Sequence, residues 1–283
     1  MIKHYYSLAK PGLVYGNLIS TIGGFLLASR GDFKFGLFFA TLFGIACIMA
    51  SGCVLNCYVD RDIDAIMKRT QNRVLVKGLV SERGALIYAG VLLFVGVLIL
   101  LWQTNILTLC IALIGFFVYV VLYTMWLKRS SIHSTIVGSV AGAVPILVGY
   151  CAVTNSFDKC ALILFLIMAV WQMPHSYALY IGCLEDYAKA SISTLPVKKG
   201  IYWTKVNIIL YVISFFFASI MLTLFGYTGN VYLIIMTLLS AFWVLLAYLG
   251  FHAKHTRKWA RSMFFYSIIV IVIFSILIAF DFS

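Results

Sequence analysis

The chain has 283 residues, of which 63% are hydrophobic and only 11% are charged, and its net charge is +12. Soluble domains carry about 25% charged residues, so this chain could not cover a water-exposed surface and must be surrounded mostly by lipid. The basic residues lie in short segments between apolar runs, which favours membrane orientation over nucleic-acid binding as their explanation. The composition therefore predicts an integral membrane protein that contacts the lipid bilayer and binds no nucleic acid.

Nine apolar stretches follow one another along the chain, and about 20 apolar residues are enough for a helix to span a bilayer. The predicted helices are residues 12–29, 35–56, 84–103, 106–126, 134–153, 160–182, 206–226, 231–251 and 263–280. Two long polar segments, 57–83 and 183–205, interrupt this series. We expect an all-α, polytopic membrane protein with one domain over residues 1–283.

The cysteines and the N-terminal segment carry no sign of processing. The chain has seven cysteines, an odd number, and no pair is spaced as CxxC. This predicts buried packing residues rather than a disulfide framework or a zinc site. The first apolar stretch lacks a clear signal-peptide core and cleavage site, so we expect it to be retained as a helix.

The basic residues are distributed very unevenly between the two ends of the predicted helices. With the N-terminus in the cytoplasm, eighteen of the 21 basic residues fall on the inner side, and three fall outside. Those three are Arg30, Lys34 and Lys159. Because positive charges accumulate on the cytoplasmic side, the sequence predicts a cytoplasmic N-terminus and an external C-terminus.

Three acidic residues follow the second predicted helix within five positions. If the helix continues to residue 64, Asn56, Asp60 and Asp64 lie one turn apart on the same face. Stacked carboxylates repel each other, and Mg²⁺, which prefers oxygen ligands and often shares them with substrate phosphates, would offset this repulsion. A solvated loop paired with Arg61, Lys68 and Arg69 is the alternative. The spacing alone leaves both interpretations open.

A second acidic segment follows the sixth predicted helix. Glu185 and Asp186 come shortly after the sequence Trp171-Gln172-Met173-Pro174-His175 and precede several lysines. The second and sixth helices run in the same direction, so both acidic segments leave the membrane on the cytoplasmic side. Two convergent acidic segments with neighbouring cations favour a shared polyphosphate ligand in a central cavity between the helices.

These residues resemble the motifs of the UbiA-type intramembrane prenyltransferases over nearly the whole chain. The motif Asn56-x3-Asp60-x3-Asp64 is similar to the first aspartate-rich motif of that family. Further similar segments are Lys10-Pro11-Gly12, Asn72-Arg73-x-Leu75-x-x-Gly78, Tyr123-Thr124-x3-Lys128-Arg129 and Gly138-x3-Gly142-x2-Pro145. The segments Trp171–His175 and Glu185–Tyr187 resemble the protoheme IX farnesyltransferase (heme O synthase) branch. Cys57 and Ala190 stand where many members have further acids.

The resemblance implies roles for individual residues. Asp60, Asp64 and Asp186 are the implied catalytic residues, and together with Asn56 they are the implied Mg²⁺ ligands. Implied diphosphate-binding residues are Asn56, Arg69, Arg73, Lys77, Lys128 and Lys198. His175 is a candidate for heme contact, although it could equally hydrogen-bond a backbone carbonyl.

The implied reaction joins the farnesyl group of farnesyl diphosphate to the 2-vinyl group of heme B, with addition of water, giving heme O and diphosphate. The resemblance further implies Mg²⁺ as cofactor, a bacterial inner-membrane location with a cytoplasmic active site, and a downstream heme-modifying enzyme or terminal oxidase as partner. Three alternatives stay open: an aromatic acceptor such as 4-hydroxybenzoate, a membrane transporter, and a non-catalytic assembly protein of a respiratory oxidase. A transporter would be expected to carry ionisable residues near the bilayer midplane, whereas these acids lie at the membrane edge.

Overall fold

The computed structural model describes residues 1–282, and within this range nine helices are long and apolar enough to span a membrane. In chain order they are α2 (Pro11–Ser29), α3 (Phe35–Val59), α5 (Glu82–Gln103), α6 (Ile106–Ser130), α7 (Ser134–Thr154), α8 (Lys159–Gly182), α10 (Leu195–Leu224), α11 (Asn230–His252) and α12 (Thr256–Phe280). Three short helices complete the described chain: α1 (Ile2–Leu8), α4 (Arg61–Ile66) and α9 (Leu184–Lys189). The predicted all-α, nine-span architecture is confirmed.

Six of the spanning helices surround a central cavity. Its lining residues come from α2, α3, α6, α7, α8 and α12. In the described chain, α5 packs on the outer side of α3, while α10 and α11 pack against α8 and α12. The two helices that lead into the acidic segments, α3 and α8, both line the cavity, so the fold brings the two polar connections to the same end.

Helices α2 and α7 approach each other closely at two glycines. A Cβ atom at Gly24 would overlap the carbonyl oxygen of Ile146, and one at Gly149 would overlap that of Thr21. Neither backbone can retreat without moving its whole helix, so only glycine fits at these two positions. Small residues that permit close backbone approach are a common means of helix association in membranes, where apolar burial gives little driving force.

Side-chain caps fix where three of the helices begin. Ser81 accepts a hydrogen bond from the Gly84 N–H at the start of α5. Asn105 and Asp158 do the same for α6 and α8, through the N–H groups of Thr108 and Ala161. Each cap satisfies one of the N–H groups that a helix leaves unpaired at its first turn.

The C-terminal half of α6 is wound as a π-helix over Val118–Leu127. A π-helix has an i→i+5 hydrogen-bond pattern and is rare, occurring often at functional sites. The wider winding changes the direction of every side chain that follows it. Thr124 and Lys128 therefore lie at positions that a regular α-helix would not give them.

The structure corrects the extent of the second polar connection. It was predicted to run over 183–205, but α10 already begins at Leu195 and bends at Gly200, where φ is +84°. That conformation is unfavourable for residues with a Cβ and acceptable for glycine. The first connection, predicted at 57–83, begins after Val59 and contains the short helix α4. Helix α12 begins at Thr256, earlier than the predicted residue 263. The seven cysteines form no disulfides.

Candidate active site

Two of the three acids that follow α3, Asp60 and Asp64, are buried at the end of the helix bundle, next to Asn56 of α3. Asn56, Asp60 and Asp64 have exposed fractions of 3%, 0% and 1%. Although α3 ends at Val59, the backbone hydrogen bonds from Asp60 N to Asn56 O and from Asp64 N to Asp60 O keep the i→i+4 pattern across the junction with α4. The three side chains therefore keep the one-turn spacing that the sequence predicts. The alternative of a solvated loop is wrong for Asp60 and Asp64.

Each of the two buried carboxylates has one oxygen bound and the other unpaired. Lys128 Nζ donates to Asp60 Oδ2, which also accepts a hydrogen bond of 2.8 Å from Asn56 Nδ2. Arg73 donates to Asp64 Oδ2. Among the described residues, neither Asp60 Oδ1 nor Asp64 Oδ1 has a hydrogen-bond partner. Buried polar atoms are seldom left unpaired, so these two oxygens mark a place where a ligand would be expected.

The charge state of Arg73 follows from its pairing with Asp64. Burial alone would lower the pKa of Arg73, but the attraction and hydrogen bond of Asp64 together with the charges of other neighbours, Asp60 among them, outweigh burial and raise this pKa. The guanidinium therefore stays charged beside the carboxylate. A charge-assisted pair of this kind is stronger than a neutral hydrogen bond, and it keeps the Arg73 side chain directed toward Asp64.

The third acid of the cluster differs in its surroundings. Asp62 is exposed and accepts two hydrogen bonds, of 2.7 and 2.6 Å, from the guanidinium of Arg129. This contact lowers the pKa of Asp62 to about 2. Asp62 lies at the periphery of the bundle, on another side of α4 from Asp64. It is therefore a natural control residue for Asp60 and Asp64.

The second acidic segment meets the first at Arg69. The backbone N–H of Arg69 donates to Asp186 Oδ2 at 3.2 Å, and its guanidinium donates to the hydroxyl of Tyr187 at 3.4 Å. Burial raises the pKa of Tyr187, so its hydroxyl stays protonated. Glu185 is exposed. The two polar connections predicted to converge are thus in direct contact through Arg69.

A polar chamber of 260 Å³ lies between these segments and the helix ends. Its charged lining residues are Lys10, Asp64, Arg69, Arg73 and Lys128. Hydroxyl groups and amides from α6, α7 and α8 complete the wall. The surplus of positive over negative groups makes the polar chamber suited to an anion, with acidic oxygens available to a metal ion beside it.

Lys10 is a chamber residue that the motif analysis did not single out as a ligand. Its Nζ donates to Asn56 Oδ1, and Asn56 Nδ2 reaches Thr124 Oγ1 at 3.1 Å. Lys10 has φ +49° and is the N-cap of α2, directly before Pro11. A non-glycine residue with positive φ is uncommon, and this turn directs the lysine toward the acids. Its signal in the sequence is Lys-Pro at the start of the first span.

The polar chamber adjoins an apolar cavity of 480 Å³ inside the helix bundle. The two spaces share part of their walls. The shared residues are Leu13, Tyr119, Gly138, Gln172, His175 and Leu179. Small-molecule sites are typically about 300–1,000 Å³ and mostly apolar with a few polar groups. The arrangement fits a ligand that has a long apolar part and a strongly charged end.

His175 lies where the two spaces meet. Its Nδ1 is 2.7 Å from Ser267 Oγ, and its ring stacks against Trp171 and Phe264 with centroid distances of 4.9 and 4.5 Å. The indole N–H of Trp171 donates to the carbonyl oxygen of Ser267 at 2.8 Å. We call Trp171, His175, Phe264 and Ser267 the aromatic cluster. It joins α8 to α12 and holds the imidazole in a fixed orientation.

Only some of the predicted ligands line the polar chamber, and Asp60 and Asp186 are not among its lining residues. Lys77 and Lys198 are exposed and are not among its lining residues. Arg69, Arg73 and Lys128 are. Tyr119 and Tyr123 stack at 6.0 Å between centroids and also line the chamber. The sequence analysis names Tyr123 only as part of a motif and does not name Tyr119. The roles of all these residues as ligands stay predictions.

The fit of the site to a metal ion rests on Asp60 and Asp64. In the described chain, no three side chains of His, Cys, Asp or Glu lie close enough together to hold a metal ion. The two unpaired oxygens are nonetheless hard donors, of the kind that Mg²⁺ binds while it keeps waters or substrate phosphates as its other ligands. The amide oxygen of Asn56 is taken by Lys10. The residues present therefore fit a metal ion that shares its ligands with an anionic substrate.

Comparison with solved structures supports the same fold. The structure described as digeranylgeranylglyceryl phosphate synthase superposes with a TM-score of 0.77 at 22% identity, covering 98% of each chain. A UbiA homolog from Archaeoglobus fulgidus bound to DMAPP and Mg²⁺ superposes with a TM-score of 0.72 at 15% identity, covering 98% of this chain and 99% of the homolog. At these identities the likeness shows a shared fold.

Sequence comparison gives closer relatives. Protoheme IX farnesyltransferase from Yersinia pseudotuberculosis is 50% identical over 283 residues, covering 100% of this chain and 96% of the relative. The protein of that description from Photorhabdus laumondii is 49% identical over 281 residues, covering 99% and 96%. The model of the UbiA prenyltransferase family matches residues 17–269. The match extends from the first spanning helix to the last and includes both acidic segments, and the chain belongs to the UbiA prenyltransferase family.

Proposed function

We propose that this protein transfers the farnesyl group of farnesyl diphosphate to the 2-vinyl group of heme B. Water adds to the other vinyl carbon, and the products are heme O, which carries a hydroxyethylfarnesyl group, and diphosphate. The proposal draws on relatives described as protoheme IX farnesyltransferases at about half identity over the whole chain. It also requires a site that can ionise an allylic diphosphate inside a membrane.

The observation that carries the proposal is the polar chamber joined to the apolar cavity. The diphosphate would occupy the chamber among Lys10, Arg69, Arg73 and Lys128, and the farnesyl chain would extend into the cavity. The bond between the two parts of the substrate would then lie near the shared wall. A substrate with an apolar chain and a polyanionic end would use both spaces at once.

Asp60 and Asp64 would hold Mg²⁺ through their unpaired oxygens, and Asp186 would have to move closer to them to become a third ligand. When bound, Mg²⁺ neutralises the charge that develops on the leaving diphosphate. Asp186 is in contact with the backbone of Arg69, so it can position that residue even where it does not reach the metal directly.

The cations of the chamber would change partners when the substrate binds. Lys128 and Arg73 are held by Asp60 and Asp64 in the structure, and Lys10 is held by Asn56. If the acids turn to a metal ion, these cations become free to bind phosphate oxygens. Preorganised donors aimed at a developing charge are usually the largest electrostatic contribution to catalysis.

The acceptor would approach from the apolar cavity. Departure of diphosphate leaves an allylic cation, which the electron-rich vinyl group attacks to form the carbon–carbon bond. The positive charge moves to the vinyl carbon next to the porphyrin, and water captures it with loss of a proton. The stacked rings of Tyr119 and Tyr123 line the same wall; aromatic faces stabilise a nearby cation by about 0.5–2 kcal/mol.

The orientation and location of the protein belong to the same proposal. The distribution of basic residues supports a cytoplasmic N-terminus, an external C-terminus and an active site on the cytoplasmic side of a bacterial inner membrane. Heme O would pass to a downstream heme-modifying enzyme or terminal oxidase, because a product with a porphyrin and a farnesyl tail would stay in the membrane.

The proposal is tested by incubating the detergent-purified protein with heme B, farnesyl diphosphate and Mg²⁺, and identifying products by mass spectrometry. We expect a farnesylated, hydrated heme, and we expect EDTA to abolish its formation. Release of diphosphate with 4-hydroxybenzoate but not with heme would leave the prenyltransferase chemistry in place and change the acceptor. A protein that neither binds nor consumes farnesyl diphosphate would instead favour a transporter or an assembly protein.

A further inference from the structure

The imidazole of His175 is held in one orientation by contacts on three sides. Trp171 and Phe264 stack against it, and Ser267 binds its Nδ1. Ser267 also accepts the Trp171 indole N–H at its backbone carbonyl. One residue of α12 thus fixes two rings of α8.

The hydrogen bonds of Ser267 determine which nitrogen of His175 carries the proton. The Ser267 hydroxyl lies 2.6 Å from the carbonyl oxygen of Phe264 and 2.7 Å from His175 Nδ1. The hydroxyl of Ser267 has one hydrogen, and the carbonyl oxygen of Phe264 has none to donate. If that hydrogen pointed to His175, the Ser267 and Phe264 oxygens would lie 2.6 Å apart with no hydrogen between them. The hydrogen is therefore donated to the Phe264 carbonyl. The Ser267 oxygen is then the acceptor, and Nδ1–H of His175 is the donor.

It follows that Nε2 of a neutral His175 carries a lone pair. Among the described residues, Nε2 has no hydrogen-bond partner, and His175 lines both the polar chamber and the apolar cavity. Metal-ligating histidines characteristically donate their other N–H to an oxygen acceptor, which fixes both the tautomer and the ring orientation. Neutral imidazole is also a common ligand of heme iron.

We infer that His175 Nε2 ligates the iron of the heme acceptor and that Ser267 is the positioning residue that keeps this nitrogen unprotonated and directed into the cavity. The inference rests on the proposed function, since it needs heme as the acceptor. Because His175 lines both spaces, ligation would hold the heme next to the wall that the polar chamber and the apolar cavity share. The prenyl cation would form near the same wall, within reach of a vinyl group of the heme.

The first experiment follows the absorption spectrum of heme B as it is titrated into the purified protein. We expect the wild-type spectrum of a histidine-ligated heme, its loss in His175→Ala, and its restoration when imidazole is added. Exposed His252→Ala is the matched control and should retain the wild-type spectrum. Iron-free protoporphyrin IX has no iron to ligate, so His175→Ala should bind it as wild type does. An unchanged heme spectrum in His175→Ala would overturn the inference.

The second experiment tests Ser267. Ser267→Ala should weaken heme affinity by about 10–100-fold, as the loss of an outer-shell partner of a metal ligand typically does. The KM for farnesyl diphosphate should stay unchanged, and Ser267→Thr, which keeps the hydroxyl, should recover heme binding. Equal loss of both substrates would indicate a merely structural role and count against the inference.

The two experiments also separate this inference from the proposed function. If the wild-type protein farnesylates heme while His175→Ala keeps the wild-type spectrum, the ligation is wrong and the reaction stands. If the wild-type protein neither binds heme nor farnesylates it, the proposed function fails and the inference fails with it. The melting temperature of each variant, measured in the same detergent, shows whether it is folded.

Discussion

At the scale of single residues, the main feature is a pair of buried carboxylates that are each only half satisfied. Asp60 and Asp64 have one oxygen held by a cation and one oxygen without a partner among the described residues. Leaving a buried charged oxygen unpaired costs free energy. This cost is tolerable at a site where a ligand completes the coordination.

Replacing Asp64 by Asn should lower the transfer rate by about 100-fold or more, because removing a group that acts on the developing charge typically costs that much. The measurement is steady-state product formation at saturating substrates, with the melting temperature as a folding check. Asp62→Asn is the matched control: it is the same substitution two residues earlier, at an exposed position. Equal losses in the two variants would contradict a specific role for Asp64.

Replacing Lys10 by Met should raise the KM for farnesyl diphosphate by about tenfold or more, since hydrogen bonds to charged groups contribute about 1.5–3 kcal/mol. Lys3→Met, an exposed lysine on α1, is the control and should behave as wild type. The KM for heme should not change in either variant. If the KM for heme rises instead, Lys10 would have to be assigned to the acceptor side of the site.

The sequence predicts part of this residue-scale picture. The one-turn spacing of Asn56, Asp60 and Asp64 is local, so it could be read directly and survives the break in the helix. The contact between Lys128 and Asp60 joins residues 68 positions apart and depends on the packing of two helices. The segment Lys10-Pro11-Gly12 can be recognised in the sequence, but the contact of Lys10 with Asn56 joins residues 46 positions apart and could not be predicted from it.

At the scale of elements, the close crossing of α2 and α7 is the most constrained contact. Gly24 and Gly149 each face a carbonyl oxygen of the other helix, so neither can gain a side chain without moving a backbone. Both helices also line the apolar cavity. The distance between α2 and α7 therefore helps to set the width of the space that holds the substrates.

Gly149→Ala should lower the stability of the protein by at least about 1–3 kcal/mol, the usual cost of overpacking. Gly90→Ala, on the exposed face of α5 with no atom within 4 Å of the new Cβ, is the matched control. It should be neutral or stabilising, because Ala is a better helix former than Gly. The melting temperature in detergent gives the comparison, and similar values for the two variants would contradict the close crossing.

The apolar stretches of the sequence predict the spanning helices, but they do not predict the irregularities within those helices. Segment 118–127 is as hydrophobic as its neighbours, and no residue in it predicts the π-helical winding. Similarly, the continuation of α10 through Gly200 depends on a left-handed glycine that joins two helices. Such features depend on packing between helices, and the pattern of apolar residues along one helix carries no information about that packing.

At the scale of the whole molecule, charge asymmetry and fold predict one orientation. Eighteen basic residues lie at the end of the bundle that contains the polar chamber. The sequence could predict this asymmetry because it needs only the number of spans and the positions of the charges. The volume and shape of the central cavity could not be predicted in that way, because they depend on how six helices from distant parts of the chain meet.

An alkaline phosphatase fused to the C-terminus should be active in intact bacteria, and a green fluorescent protein fused there should be dark, because the predicted C-terminus is external. Fusions after Arg129, on the predicted cytoplasmic side, should give the opposite pair of results and serve as the control. If both reporters placed the C-terminus inside, the orientation and the cytoplasmic active site would both be wrong.

The pairing of acids with cations has a consequence for selectivity. A metal ion that binds the unpaired oxygens of Asp60 and Asp64 would weaken the attraction of these carboxylates for Lys128 and Arg73. An anion that binds Lys128 and Arg73 alone would have to compete with Asp60 and Asp64. When the metal ion and the anion bind together, the acids pair with the metal and the cations pair with the anion, so no charge is left without a partner. The site should therefore bind the two ions together much better than either ion alone. We expect Mg²⁺ alone or diphosphate alone to shift the melting temperature little, and both together to raise it clearly. If Mg²⁺ alone or diphosphate alone raised the melting temperature as much as both together, the acid–cation pairs would not prevent binding of a single ion. Free diphosphate or free metal in the cell would then occupy the site.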